Sequence, residues 1–266
     1  MSALHGLTNS KFFRNDNKLL LIDPKVHSLQ AAPIVLKEIS VPAPGLGPHY
    51  VGEYGIDLWA SLQDSYAVLR ISHVNPCDYN IYQGVPRPVF VAQYPISKVF
   101  YTGQDDSSAI MRIDPKTGST TQYMVPPEIG QTPVGMISGP NGVWFTLLGN
   151  VTSGTGTVGF IDAHNNIIYH KLQSVLGQDA ALLHLAFDLN VAKNHVLWLL
   201  SSSINDSNAL NSIIKITFDA KWQSILKEEV KALPTQYSEA HRILITPHNI
   251  FATELASSKL LTYFKK

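Results

Sequence analysis

The sequence feature that most constrains the fold is a strand unit that recurs along the chain. Residues 132–162 read TPVGMISGPNGVWFTLLGNVTSGTGTVGFID, and IIYHKL follows at 167–172. This stretch contains an apolar strand, a Gly-Pro-Asn-Gly turn, a strand around Trp144, a Gly/Ser loop and two further strands. The same order of strands and turns recurs at 86–126, 49–83, 182–233 and 240–266. Self-similarity of this kind predicts an array of equivalent sheets.

The repeats predict an all-β fold, namely a β-propeller of four-stranded antiparallel blades. Five blades are expected, or six if residues 8–30 form a partial blade. The last copy ends after its third strand, and VLKEISVP at 35–42 matches a fourth strand. Pairing of these N- and C-terminal strands would close the ring and remove exposed sheet edges. Residues 1–30 are then an N-terminal extension and residues 31–266 form one propeller domain. The segments 173–186 and 221–233 are the best helix candidates, and a helix is expected only as a short insertion in the fourth blade.

The composition excludes several classes of partner. Lys+Arg and Asp+Glu number 20 each and no basic run is present, which argues against a nucleic-acid partner. Apolar runs stay well below the roughly 18 residues of a membrane span. The single cysteine, Cys77, rules out an intramolecular disulfide. Arg14, Asp16 and Lys18 interrupt the first segment, so a cytoplasmic protein is expected, or a secreted one if a signal peptide has been removed. The oligomeric state is not predicted.

Polar side chains at the starts of two consecutive units are the first candidates for a functional site. His184 in LLHLAF and His241 in AHRILIT are expected to occupy the same place at the start of consecutive units. Glu239 precedes His241 by two residues and would share its face of an extended strand, and Glu254 ends the next strand. Two imidazoles and two carboxylates in this arrangement suit a divalent metal or a general acid/base pair. The alternative is that they are structural side chains of the channel and its rim.

Large apolar side chains at the starts of the inner strands are the second set of candidates. Such residues would line an apolar substrate pocket at the mouth of the channel, or equally would pack as core between blades. They are Tyr50, Tyr54, Phe90, Tyr94 and Met136.

The segment TPVGMISGPNGVWFT with VGFID, together with AIMRIDPKTGSTTQYMVP, resembles the blade pattern of the streptogramin B (virginiamycin B) lyase family over residues 85–172. The resemblance implies a propeller and a magnesium-assisted elimination that opens a cyclic depsipeptide. Glu239, His241, Glu254 and His184 resemble that family's catalytic residues. It further implies that His241 is the acid/base, Glu239 orients it, Glu254 binds Mg²⁺ or acts as a second base, and His184 holds a substrate oxygen.

The sequence therefore predicts a small-molecule, lyase-like enzyme that acts on a hydrophobic, natural-product-type substrate by elimination, dehydration or cyclisation. This chain has fewer blade units than the seven usual in that family, so an altered substrate is expected. Three alternatives stay open at this point: a metal-free cyclase of the pericyclase type, a lactone or ester hydrolase, and a propeller that only binds.

Overall fold

The computed structural model describes residues 17–23, 25, 32–150, 152–189 and 191–265. In chain order, β1 (Lys18–Ile22) and β2 (Val35–Ser40) form a two-stranded sheet. The first four-stranded sheet contains β3 (Pro48–Tyr54), β4 (Asp57–Leu62), β5 (Ala67–Ser72) and β6 (Tyr79–Gln83). The second contains β7 (Pro88–Gln93), β8 (Phe100–Gln104), β9 (Ala109–Ile113) and β10 (Thr120–Met124).

The third sheet contains β11 (Pro133–Ser138), β12 (Val143–Leu147), β13 (Thr157–Ile161) and β14 (Ile167–Lys171). The fourth contains β15 (Leu182–Phe187), β16 (Val196–Ser201), β17 (Ser212–Phe218) and β18 (Ile225–Ala232), with the helix α1 (Val191–Asn194) between β15 and β16. The last sheet contains β19 (Ala240–Ile245), β20 (Asn249–Glu254) and β21 (Lys259–Phe264). Every strand pair is antiparallel and joins strands in chain order, as the repeats predict.

In the four-stranded sheets, burial is highest in the second and third strands and lowest in the fourth. The second strand is buried along its whole length in β12 (VWFTL), whereas the fourth strand β10 (TTQYM) is mostly exposed. A strand that is covered on both faces needs a continuous apolar run, while a strand at an outer edge tolerates polar residues. The pattern places the core between the faces of neighbouring sheets. Consecutive first strands also contact one another, β3 with β7, β7 with β11, β11 with β15 and β15 with β19.

The N-terminal strands pair differently from the expectation. Val35–Ser40 pairs with Lys18–Ile22 and not with β21, so the sheet that ends the described chain keeps three strands. The reason is hydrophobic: Leu19 of β1 and Ile39 of β2 are buried against the first four-stranded sheet, in a cluster with Leu58. Residues 18–22 of the expected extension therefore belong to a sheet, while residues 1–16 lie outside the described part of the chain.

The prediction of a short helix in the fourth unit is confirmed, but the helix lies outside the two candidate segments. α1 spans four residues within the fourth sheet unit. The candidate segments at 173–186 and 221–233 contain most of β15 and all of β18 instead. No helix in the described residues is long and apolar enough to cross a bilayer.

Candidate functional site

The first strand of each sheet from β3 onward has a register irregularity near its start. It follows Pro48, Pro88, Pro133, Leu182 and Ala240 in turn. A bulge inserts an extra residue into one strand and re-aims the side chains around it. In each sheet, the residue two positions after this start is structurally equivalent to its counterparts in the other four. We call these residues the central positions, and they are Tyr50, Phe90, Gly135, His184 and Arg242.

The side chains at the central positions meet. The ring centroids of Tyr50 and Phe90 are 4.9 Å apart, and those of Phe90 and His184 are 5.3 Å apart. The guanidinium carbon of Arg242 lies 4.5 Å from the centroid of the Phe90 ring, a cation–π contact. Four different sheets thus contribute to one group of side chains. Together with His241, which precedes Arg242, we call Tyr50, Phe90, His184 and Arg242 the central cluster.

The hydrogen bonds of the central cluster fix the state of both imidazoles. Arg242 Nη1 lies 3.2 Å from His241 Nε2 and donates to the His241 carbonyl oxygen at 3.0 Å. A guanidinium can only donate, so His241 Nε2 accepts. The backbone N–H of Ile243 donates to His184 Nδ1 at 3.3 Å. Each ring therefore accepts a hydrogen bond at one nitrogen and is neutral, and the proton of His184 lies on Nε2, where it can be donated.

Burial and positive charge keep these histidines neutral. Desolvation, followed by the charges of Arg242 and His49, lowers the pKa of His241 to about 3. Desolvation also lowers the pKa of His184 well below its ordinary value, helped by Arg242. The pKa of Arg242 falls to about 10 through desolvation, which leaves it a cation at neutral pH. The cluster is a fixed positive charge surrounded by neutral imidazoles and aromatic rings.

These pKa shifts predict that the protein loses stability as the pH falls below about 6.5. In the unfolded chain His184 and His241 take up protons near that pH, whereas in the folded protein they stay neutral. Stability is therefore complete above pH 6.5 and decreases below it, by about 1.4 kcal/mol per pH unit for each histidine. Urea unfolding between about pH 7 and pH 5 measures the slope. His241→Gln should give a shallower slope, and an unchanged slope would contradict the assignment.

Glu239 lies outside the strand that was expected to align it with His241. Its φ is 51°, in the left-handed region, and it precedes the first residue of β19. The alternating side-chain orientation of an extended strand therefore does not place Glu239 and His241 on one face. His241 is itself the extra residue of the bulge. Among the described residues the Glu239 carboxylate forms no hydrogen bond or ion pair; its backbone N–H donates to Ser203 Oγ at 3.3 Å. The side chain that contacts the His241 ring is Arg242, whereas Glu239 was expected to orient this ring.

Glu254 ends β20 and is 3% exposed. Its Oε2 accepts a hydrogen bond from Ser257 Oγ at 2.7 Å, while its Oε1 is buried without a partner. The equivalent residue in the second sheet is Gln104, and its Oε1 accepts a hydrogen bond from Ser107 Oγ at the same spacing. Two sheets thus use the same contact to hold the turn between their second and third strands.

The described residues fit a magnesium ion poorly. Mg²⁺ requires several oxygen ligands in near-octahedral geometry. Glu254 offers one buried carboxylate oxygen without a partner. Across the residues that the structure describes, no group of three or more His, Cys, Asp or Glu side chains could hold a metal ion. We therefore derive no chemical step through a metal.

The aromatic candidates divide into two groups. Tyr50 and Phe90 belong to the central cluster, and Tyr54 lies next to them, with its hydroxyl donating to the Val91 carbonyl oxygen at 3.0 Å. Tyr94 and Met136 are each 4% exposed and belong, with Phe90 (3% exposed), to the core shared by the second and third sheets, but neither occupies a central position. The positions of Tyr94 and Met136 agree with the second of the two alternatives, that these side chains pack as core between blades.

Arg242 is the central residue that the sequence analysis missed. Aligning the units on their histidines pairs His184 with His241, whereas the strand register pairs His184 with Arg242 and His241 with His49. A signal was present in the sequence. Pro48, Pro88 and Pro133 mark the start of three first strands, and counting two residues from each start reaches the central position in every unit.

Antiparallel sheets in chain order, whose first strands contribute side chains to one shared cluster, are the architecture of a β-propeller. Solved structures agree. Virginiamycin B lyase from Staphylococcus aureus superimposes with a TM-score of 0.69 at 18% identity, over 95% of this chain and 75% of that one. A second structure, described as streptogramin B lyase, gives 0.69 at 18% identity, over 95% of this chain and 74% of that one. The resemblance to virginiamycin B lyase is confirmed in the structure, at the level of the fold.

Other propellers match nearly as well. A protein from Bacteroides uniformis that is assigned as a 6-phosphogluconolactonase superimposes with a TM-score of 0.67 at 13% identity, over 95% of this chain and 76% of that one. No protein-family model matches the sequence, and no curated protein matches it. The fold is thus shared by lyases and lactonases, and the choice between activities rests on the side chains of this chain.

Proposed function

We propose that this protein is a small-molecule, lyase-like enzyme that acts by proton transfer at the central cluster, on a hydrophobic substrate of the natural-product type. We further infer that five blades surround one axis, with β1 and β2 as a partial sixth. The observation that carries the functional proposal is the meeting of two neutral imidazoles, one guanidinium and two aromatic rings at one point, contributed by four sheets. Aromatic walls bind an apolar body, and the polar groups act on one reacting centre.

In this proposal His241 is the base and His184 the hydrogen-bond donor. The Nε2 lone pair of His241 is occupied by Arg242 Nη1 in the structure. A substrate oxygen that takes over the hydrogen bond from Arg242 frees this lone pair for proton abstraction. Negative charge on that oxygen also offsets the guanidinium, which raises the pKa of His241 toward the value a general base needs. His184 Nε2–H donates to the leaving or developing oxygen.

The alternatives differ in what they need from the same cluster. A cyclase requires mainly the apolar walls and one donor, and Tyr50, Phe90 and His184 supply both. Hydrolysis of a lactone or ester has its support in the fold alone. A purely binding propeller predicts the same residues in every unit, whereas the central positions hold five different residue types.

The reaction is tested by incubating the purified protein with a panel of cyclic depsipeptides, β-acyloxy esters and β-hydroxy carbonyl compounds. Mass spectrometry separates the outcomes. Ring opening by elimination leaves the mass unchanged, hydrolysis adds one water and dehydration removes one. We expect elimination or dehydration products, in equal yield with magnesium and with EDTA. Hydrolysis products alone would replace the lyase proposal with the hydrolase, and activity lost in EDTA would restore the metal expectation.

A further inference from the structure

Arg242 is a partly buried cation with an unusual set of neighbours. Its contacts are the Phe90 ring, the Nε2 atom of His241 and the His241 carbonyl oxygen, and the Tyr50 hydroxyl lies within its electrostatic reach. Among the residues described by the structure, no carboxylate forms an ion pair with it. Taking a charge out of water is costly unless a counter-charge compensates.

The other described arginines show the ordinary arrangement. Arg70 lies 2.8 Å from Asp57 and 2.7 Å from Asp78. Arg112 lies 3.6 Å from Asp114, and Arg87 lies within 4 Å of two aspartates, Asp105 and Asp106. Each of these three arginines is therefore paired with at least one carboxylate. Arg242 is the one of the four described arginines without an acidic partner.

We propose that Arg242 binds the anionic group of the substrate, and that this group is a carboxylate on an apolar body. A guanidinium presents a planar fork of donors that matches the two oxygens of a carboxylate. The hydrogen bonds of Arg242 in the structure use Nη1, so the remaining donors of the fork have no protein acceptor among the described residues.

The neighbours of Arg242 support an apolar ligand body. Tyr50 and Phe90 present aromatic rings on one side, at an interplanar angle of 48°. On the side of the third sheet the central position is Gly135, where β11 and the backbone of β15 approach too closely for a side chain, so no side chain of this sheet enters the cluster. The inference rests on the proposed function only in placing the substrate at the same cluster.

Calorimetric titration with phenylacetate and with the uncharged phenylacetamide tests this site without requiring turnover. Wild type should bind phenylacetate at least about tenfold more tightly than phenylacetamide. Arg242→Met keeps the length and apolar stem of the side chain and should remove that preference, whereas Arg242→Lys should keep part of it. Arg112→Met, which removes an arginine paired with Asp114, is the matched control and should behave as wild type.

Thermal unfolding with and without phenylacetate gives a second readout. Phenylacetate should raise the Tm of wild type and leave that of Arg242→Met unchanged. Equal binding of the two ligands by wild type, no binding of either, or unchanged preference in Arg242→Met would each overturn the proposal. Selective binding without turnover would overturn the enzymatic proposal and leave the carboxylate site standing, so the two failures are distinguishable.

Discussion

Replacing Trp144 with alanine should lower the free energy of unfolding by about 3–5 kcal/mol. Trp144 is fully buried on β12, between the third and fourth sheets. Its ring centroid lies 4.8 Å from that of Phe160, 5.2 Å from that of Phe218 and 5.5 Å from that of Trp222. Truncation removes a large apolar surface and leaves a cavity that two rigid sheets cannot close. Urea unfolding followed by circular dichroism measures the loss.

Two further variants make this prediction specific. Trp144 Nε1 is buried without a hydrogen-bond partner, so Trp144→Phe removes an unsatisfied donor along with part of the ring and should cost much less than alanine. Trp198→Ala is the matched control, because Trp198 is partly buried and contacts the amino groups of Lys215 and Lys265. Equal losses for Trp144→Ala and Trp198→Ala would contradict a core built between the third and fourth sheets.

Replacing Gly135 with valine should cost about 3 kcal/mol of stability and abolish ligand binding at the central cluster. A Cβ added to Gly135 would lie 2.6 Å from the Leu183 carbonyl oxygen, 2.6 Å from Thr146 Oγ1 and 3.1 Å from the Cα of His184. Two of these three atoms are backbone of the neighbouring sheet, which cannot rotate away. The first strands β11 and β15 would have to separate, and His184 would move with β15.

The alanine variant at the same position should have a smaller effect on stability and on ligand binding. Gly135→Ala adds only the Cβ, so it should shift the strands less and retain weak ligand binding. Calorimetric titration with phenylacetate measures binding, and urea unfolding measures stability. A Gly135→Val protein with wild-type stability and affinity would show that β11 and β15 do not approach as closely as described.

The all-β class and the order of the strands could be predicted because each unit carries its own turn residues. The Gly-Pro-Asn-Gly turn at 139–142 and the Asp-Pro-Lys-Thr-Gly turn at 114–118 connect strands in the structure as they do in the repeat. The pairing of the terminal strands could not be predicted, because Val35–Ser40 has the pattern of an outer strand and any outer edge would accept it. Its partner was decided by burial of Leu19 and Ile39.

The candidate site was predicted in part. His184, His241, Tyr50 and Phe90 do come together, but Arg242 was missed, and it is Arg242 and not Glu239 that contacts His241. The cause is the bulge at the start of each first strand. An extra residue shifts which side chain faces the cluster, and a one-residue shift moves a side chain to the other face of a strand.

The central claim is that the central cluster performs acid/base chemistry on a small molecule. The most direct measurement is turnover of a substrate from the panel by wild type, His241→Ala and His248→Ala, in parallel. His248 is exposed and lies in the turn after β19, outside the cluster, which makes it the matched control. We predict that His241→Ala lowers kcat by about 10²–10⁴-fold while His248→Ala retains wild-type turnover. Wild-type turnover in His241→Ala would contradict the account.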